Sequence, residues 1–330
     1  MISFRFHVVS ITAVFLAIAI GVVVGSTYVD RAIVDTLQNR IDTVSANLDE
    51  RKAENDALEE DLDDARSYIS ASSDYAVTDR LAEVPVLIVA LRGVEEAAVE
   101  DTVRLARQAG GLVPGVAWME PRWALEEEAD RGALAELVDA SDTAEPEQMW
   151  DDAWDAVADE LVVVPVDEEE TPTNGAGATT TTTVPADAPE APVLLGLAEA
   201  GFLTIDALDD DAVTLAEMAG SGARVLVVTG SEAAAELAPL VAIVVGATLG
   251  GGSVAAEVFV PQTDGPVRGQ VLTDTIDQGT LETMAIVDAV DRVEGRVAAI
   301  VAVAGAPGVV VGHFGYGPDA DAVLPVWSPP

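Results

Sequence analysis

The sequence predicts an α/β ectodomain with a mostly parallel sheet, preceded by one transmembrane helix and a coiled-coil stalk. Three observations predict it. Residues 8–29 form an apolar run without a formal charge, and residues 34–69 repeat apolar side chains at alternating spacings of three and four. From Val84 onward, short continuous apolar runs alternate with stretches of helical spacing. The expected organisation is a stub and anchor over 1–29, a stalk over 30–79 and a head over 80–330.

Composition narrows the function classes before any motif is considered. The 330 residues hold 58 Asp and Glu against 16 Lys and Arg, a net charge of −42, and Lys52 is the only lysine. Such a field repels polyanions, and nucleic-acid affinity rests on cations that displace phosphate counterions, so no nucleic-acid partner is expected. Cysteine is absent, which removes disulfides, thiolate ligands and cysteine nucleophiles. Two histidines and five methionines leave soft-metal donors scarce. At 50% hydrophobic residues the chain nonetheless has enough apolar material for one or two buried cores.

About 20 apolar residues span a hydrocarbon layer of roughly 30 Å, so residues 8–29 are long enough to cross a bilayer. A secretory signal has a shorter apolar region, and Val24-Gly-Ser26 is a weak cleavage site, so an uncleaved anchor is expected. Arg5 before the helix and Arg31 and Arg40 after it nearly balance. The short stub before the span favours a cytoplasmic N-terminus with the acidic bulk outside. Gly21 and Gly25 form a G-x-x-x-G that lets two membrane helices approach closely.

The following segment supports the same pairing. Val34, Ile41, Leu48, Asn55, Leu62 and Ile69 fall on one seam position, and Leu37, Val44, Arg51, Leu58 and Ala65 on the other. This period of about 3.5 residues is that of a coiled coil, and a core asparagine favours two in-register strands. Two helices leaving one membrane run parallel, so the expected partner is a second copy. Arg51 is a poor core residue, and a single amphipathic helix lying on the head is the competing arrangement.

In the head, Val84-Pro-Val-Leu-Ile-Val-Ala-Leu91, Leu161-Val-Val-Val-Pro-Val166, Val225-Leu-Val-Val228 and Val258-Phe-Val260 read as strands buried on both faces. Residues 95–109 and 206–219 read as helices. Trp150, Ala153, Trp154, Val157 and Leu161 share one helical face, where the tryptophans act as core anchors. Residues 167–192, acidic and then rich in Thr, Pro and Ala, read as a flexible loop. Residues 120–170 hold 19 acidic and two basic side chains, a solvated acidic surface.

Chemical motifs are missing. No glycine-rich phosphate loop, G-x-S-x-G elbow or H-E-x-x-H occurs, and no catalytic residue, metal ligand or cofactor site is expected. No set of alternating strands suggests a membrane barrel. His313 beside Gly312, Gly315 and Gly317 reads as a satisfied loop histidine. The segment 312–325, which also includes Tyr316, reads equally as a binding loop or as the closure of the last helix onto the sheet.

Several of these stretches resemble one family. They are Met1-Ile-Ser-Phe-Arg-Phe-His-Val-Val-Ser10, Ala13-Val-Phe-Leu-Ala17, Gly21-Val-Val-Val-Gly-Ser26, Asp288-Ala-Val-Asp-Arg-Val-Glu-Gly-Arg-Val297 and the 312–325 tail. Both ends of the chain are similar to the mycobacterial copper transport protein B family. The resemblance implies an actinobacterial cell-envelope protein in copper export or homeostasis, with an outer-membrane label. The missing metal ligands and catalytic motifs motivate an alternative: a non-catalytic coiled-coil scaffold that binds a membrane partner in cell division or cell-wall assembly.

Overall fold

The computed structural model describes residues 4–162, 192–207, 213–233, 235–261, 263, 265–308 and 310–326, without the side chains of 26–33 and 35. Two compact units make up the chain, 1–68 and 69–330. In the first unit one helix, α1 (Phe4–Val77), takes in every described residue, and its last turns belong to the second unit. Its opening part, Phe4–Gly25, is long and apolar enough to cross a membrane by length and composition. Further along, the described apolar seam side chains from Val34 to Leu62 are exposed, between 49% for Leu62 and 61% for Leu48, and Arg51 and Asn55 interrupt them.

The second unit is built on a seven-stranded sheet. Its strands are β1 (Val86–Leu91), β2 (Val116–Met119), β3 (Leu203–Asp206), β4 (Arg224–Gly230), β5 (Ser253–Val258), β6 (Ala285–Val287) and β7 (Gly312–Phe314). They lie in the order β3-β2-β1-β4-β5-β6-β7. All neighbours are parallel except β3, which pairs antiparallel with β2 from Val116↔Asp206 to Met119↔Leu203.

A parallel sheet has helices on both faces, and that is why its strands are apolar throughout. In β1, Leu87, Val89 and Leu91 enter one core while Val86, Ile88 and Ala90 enter the other. The first core is closed by α3 (Glu128–Val138), α4 (Pro146–Leu161), α5 (Pro192–Glu199), α6 (Ala238–Thr248) and α7 (Gln270–Thr275), with the short α8 (Gln278–Leu281) beside it. The second is closed by α2 (Glu96–Gln108), α9 (Val293–Gly305) and the end of α1 at Val77.

The tryptophans anchor the first core. Trp123 and Trp154 stack at 6.0 Å and Phe202 meets Trp123 edge-on at 5.3 Å. Trp123 Nε1 donates to the Phe202 carbonyl, and Trp150 Nε1 donates to the Trp123 carbonyl, each at 2.8 Å. These bonds satisfy the polar edge of buried rings and fix the turn Pro121–Ala124 against α4.

Three local expectations are corrected. The run at 161–166 does not begin a strand: Leu161 closes α4, Val162 is exposed, and 163–166 lie outside the described residues. The span 206–219 does not open as a helix, because Asp206 ends β3 on the free edge of β2. Residues 208–212 lie outside the described residues, and Leu215–Met218 forms one 3-10 turn, started by reciprocal bonds between Thr214 and Glu217. The run at 258–260 contributes only Val258 to β5, whose Ser253, Ala255 and Ala256 are too small to mark a strand by hydrophobicity. The expected loop at 167–192 lies outside the described residues except for Pro192, which opens α5.

Trp154→Ala deletes a fully buried ring, and it should destabilise the head by about 3–5 kcal/mol in equilibrium denaturation.

Candidate functional site

Polar groups gather at the C-terminal ends of β5, β6 and β7. Glu257 is the penultimate residue of β5, Asp288 follows β6 directly, and His313 is the middle residue of β7. The register Ala256↔Val287 and Ile286↔His313 makes Glu257 and Asp288 lateral neighbours, with His313 two residues lower. All three side chains are buried.

Asp288 is the centre. Its Oδ2 is 2.8 Å from His313 Nε2 and accepts from the Gly317 amide at 2.6 Å, while its Oδ1 accepts from the Tyr316 amide at 2.7 Å. Burial pushes the Asp288 carboxyl up, but the His313 ring and the two amides outweigh it and hold the group below its ordinary value. The fit needs glycine at two positions. Gly315 has φ +141° and a Cβ there would overlap Asp288 Oδ1, while a Cβ on Gly317 would press on Oδ2.

A second layer fixes this centre from outside. Arg268 places both guanidinium nitrogens on Asp291, at 2.5 and 3.0 Å, donates to the Asp288 carbonyl at 2.9 Å and stacks on Phe259. Asp321 accepts from the His313 amide at 3.0 Å. Tyr316 donates its hydroxyl to Glu294 under the Arg292 guanidinium, and burial with that carboxylate pushes the phenol up to about 12.

The tail singled out by sequence therefore comes together with the Asp288 motif. Gly312 opens β7, Gly315, Tyr316 and Gly317 wrap the carboxylate, and His313 is satisfied in a strand rather than in a loop. Sequence reasoning passed over Glu257, Asp288 and Arg268 as members of one site. A single acid inside Ala255-Ala-Glu-Val258, and another directly after Ala285-Ile-Val287, were the available signals.

The other expected site residues lie apart from this centre. Gly21 and Gly25 have open space around them on α1. Val34, Leu37, Ile41, Val44, Leu48, Leu58 and Leu62 are exposed, and Asn55 donates to Glu59 of its own helix at 3.3 Å. A cavity of about 270 Å³ opens at the opposite ends of β5 and β6, beside Gly252, Met284 and Pro307, and no titratable side chain lines it.

Among known proteins, the family described as copper transport outer membrane protein, MctB, matches residues 1–325. The chain belongs to the MctB family. Copper transporter MctB of Mycobacterium bovis and of two Mycobacterium tuberculosis strains is 32% identical over 113 residues. That stretch covers 34% of this chain and 36% of each relative's length.

The described residues of this MctB family member do not present a copper donor set. No three His, Cys, Asp or Glu side chains among them converge to hold a metal ion. Met119, Met149, Met218 and Met284 are packed inside the core, and His313 Nε2 is taken by Asp288. The arrangement at Asp288 joins the tail to the sheet, and the partner of the His313 ring is the Asp288 carboxylate.

With its folded value below the ordinary 3.8, Asp288 stabilises the head fully above pH 3.8, and that contribution is lost as pH falls through the folded value. Asp288→Asn should cost about 1–3 kcal/mol near neutral pH. Its deficit against the wild type should narrow as acid unfolding is followed below pH 3.8.

Proposed function

We propose that the chain is a single-pass membrane protein of the cell envelope that serves copper export or homeostasis as a parallel homodimer, without an enzymatic step. The observation that carries this reading is the family match over residues 1–325, which takes in the apolar helix and the head together. The relatives named copper transporters support the copper assignment. The apolar stretch Phe4–Gly25 supports the anchor. Arg5 on one side and Arg31 and Arg40 on the other nearly balance, and the short stub before the span places the N-terminus in the cytoplasm and the head outside.

Dimerisation rests on two faces of α1. The glycine face at Gly21 and Gly25 serves within the bilayer. The exposed apolar seam from Val34 to Leu62 serves beyond it, with Asn55 setting register and strand number. Copper passes through no resident ligand cage in this reading. The protein acts on copper tolerance as part of an envelope assembly.

Deletion of the gene in its host should raise cellular copper and copper sensitivity, and the intact chain should restore both. Unchanged copper content together with altered cell shape would overturn the copper role and favour the scaffold. Separately, Asn55→Cys should give a disulfide-linked dimer under mild oxidation in native membranes. Close acidic pairs along the seam, such as Glu54 facing Glu59, should make the dimer more stable as salt rises. A monomer at every salt concentration would end the dimer reading.

A further inference from the structure

Glu257 differs from the other carboxyls at this edge of the sheet. Its Oε1 accepts from the Gly269 amide at 2.9 Å, and the Leu272 amide contributes from the next turn of α7. Its Oε2 is buried with no hydrogen-bond partner among the described residues. An ionised carboxylate left in this way is costly, and it is relieved by a cationic side chain, a bound cation or a proton.

The neighbouring charges decide among these. From β6 comes Asp288, a like charge, and from β7 comes His313, whose Nε2 is bonded to Asp288. The turn before α7 brings Arg268, but its guanidinium grips Asp291 and lies on Phe259. The helix α6 has no ionisable residue, and Asp274 on α7 and Glu232 after β4 are exposed. On the far face, α9 carries Glu294 and Arg296, which bond Tyr316 and pair with Asp101. No side-chain cation is therefore committed to Glu257, and no three-donor metal cluster forms among the described residues.

We propose that Glu257 is a proton-binding site of the folded head, and that release of its proton near neutral pH loosens the α7 turn and the tail held on Asp288. The coupling is direct. Gly269, whose amide bonds Glu257, packs so closely on His313 and Asp288 that an added Cβ would lie 3.1 Å from His313 Nε2. An ionised Glu257 sets a second negative charge beside the carboxylate that holds Tyr316 and Gly317.

The energetics agree in sign. Burial pushes the Glu257 carboxyl up, the Gly269 and Leu272 amides pull it back, and with Asp288 raising and Arg268 lowering it the group stands at about 7. Between its ordinary 4.5 and about 7, the folded head keeps a proton that the unfolded chain has lost. Stability therefore falls as pH rises through that window and stays lower above it.

The test uses the full chain in detergent micelles, comparing wild type with Glu257→Gln from about pH 5 to about pH 8. The folding equilibrium constant of the wild type should fall by about two orders of magnitude relative to the variant across this range. Wild type should also show an infrared band of a protonated carboxyl at about pH 6 that titrates near neutrality and is missing from the variant. Amide exchange of 268–276 and 312–322, corrected for intrinsic rates, should quicken over the same interval. Parallel stability profiles for the two proteins would overturn the proposal. So would a wild type without the titrating band, a result that needs no folded variant. Protection of the wild type at about pH 8 by millimolar calcium or copper, with loss of the band, would assign Oε2 to a metal ion and also overturn it.

Discussion

Three donors converge on the carboxylate of Asp288, one from β7 and two from the turn that follows it. The arrangement matters because β6 and β7 pair over only three residues each, too few for ladder bonds alone to hold an edge. The charge-assisted bonds to Asp288 supply what the short ladder lacks. They also explain why Gly315 and Gly317 stand where they do, since any side chain there would displace the carboxylate. Behind them, the paired Arg268 and Asp291 hold the strand end from which Asp288 projects. The last stretch of the chain is thereby joined to the sheet through one buried anion.

The first unit poses the opposite problem. Its described apolar residues between Phe4 and Leu62 are exposed. A helix with bare apolar stretches is not a stable end state in water, where such stretches are covered by lipid or by another protein. Phe4–Gly25 has the length and composition for lipid. The seam beyond it, with its 3.5-residue period, matches a second copy of itself better than a flat protein surface, and this is the physical ground for the proposed dimer. The net charge of −42 fits a hydrated head that does not aggregate through its own surface.

How much of this could be read from the sequence depended on element length. The strands β1, six apolar residues, and β4, with the apolar run Val225–Val228 at its centre, were visible, as were α2 and the tryptophan face of α4. The strands β2, β3, β6 and β7 have three or four residues and no period to detect. At Leu161 the reading misled for a related reason: valines after a helix look like a strand, although Leu161 still packs in the last turn of α4. At the site, His313 and the glycines of the tail stood out by composition. Asp288 did not, because in a chain with 58 acids one more carboxylate carries no signal until the fold brings it to a histidine.

The position of these groups also bears on what kind of protein this is. Open parallel sheets bind ligands outside the C-terminal ends of their strands, above all where the strand order reverses. Here the order reverses between β1 and β4. Arg92, just after β1, is paired there with Glu120 at 2.6 Å and Glu96 at 3.3 Å and lies over Trp118. Further along the same edge, the amides of Tyr316 and Gly317 cradle a carboxylate as they would a bound anion, and that carboxylate is the protein's own Asp288. At both places the groups that would meet a ligand are satisfied internally. The head thus has the sheet architecture on which ligand sites are built, with these two stations filled by its own side chains.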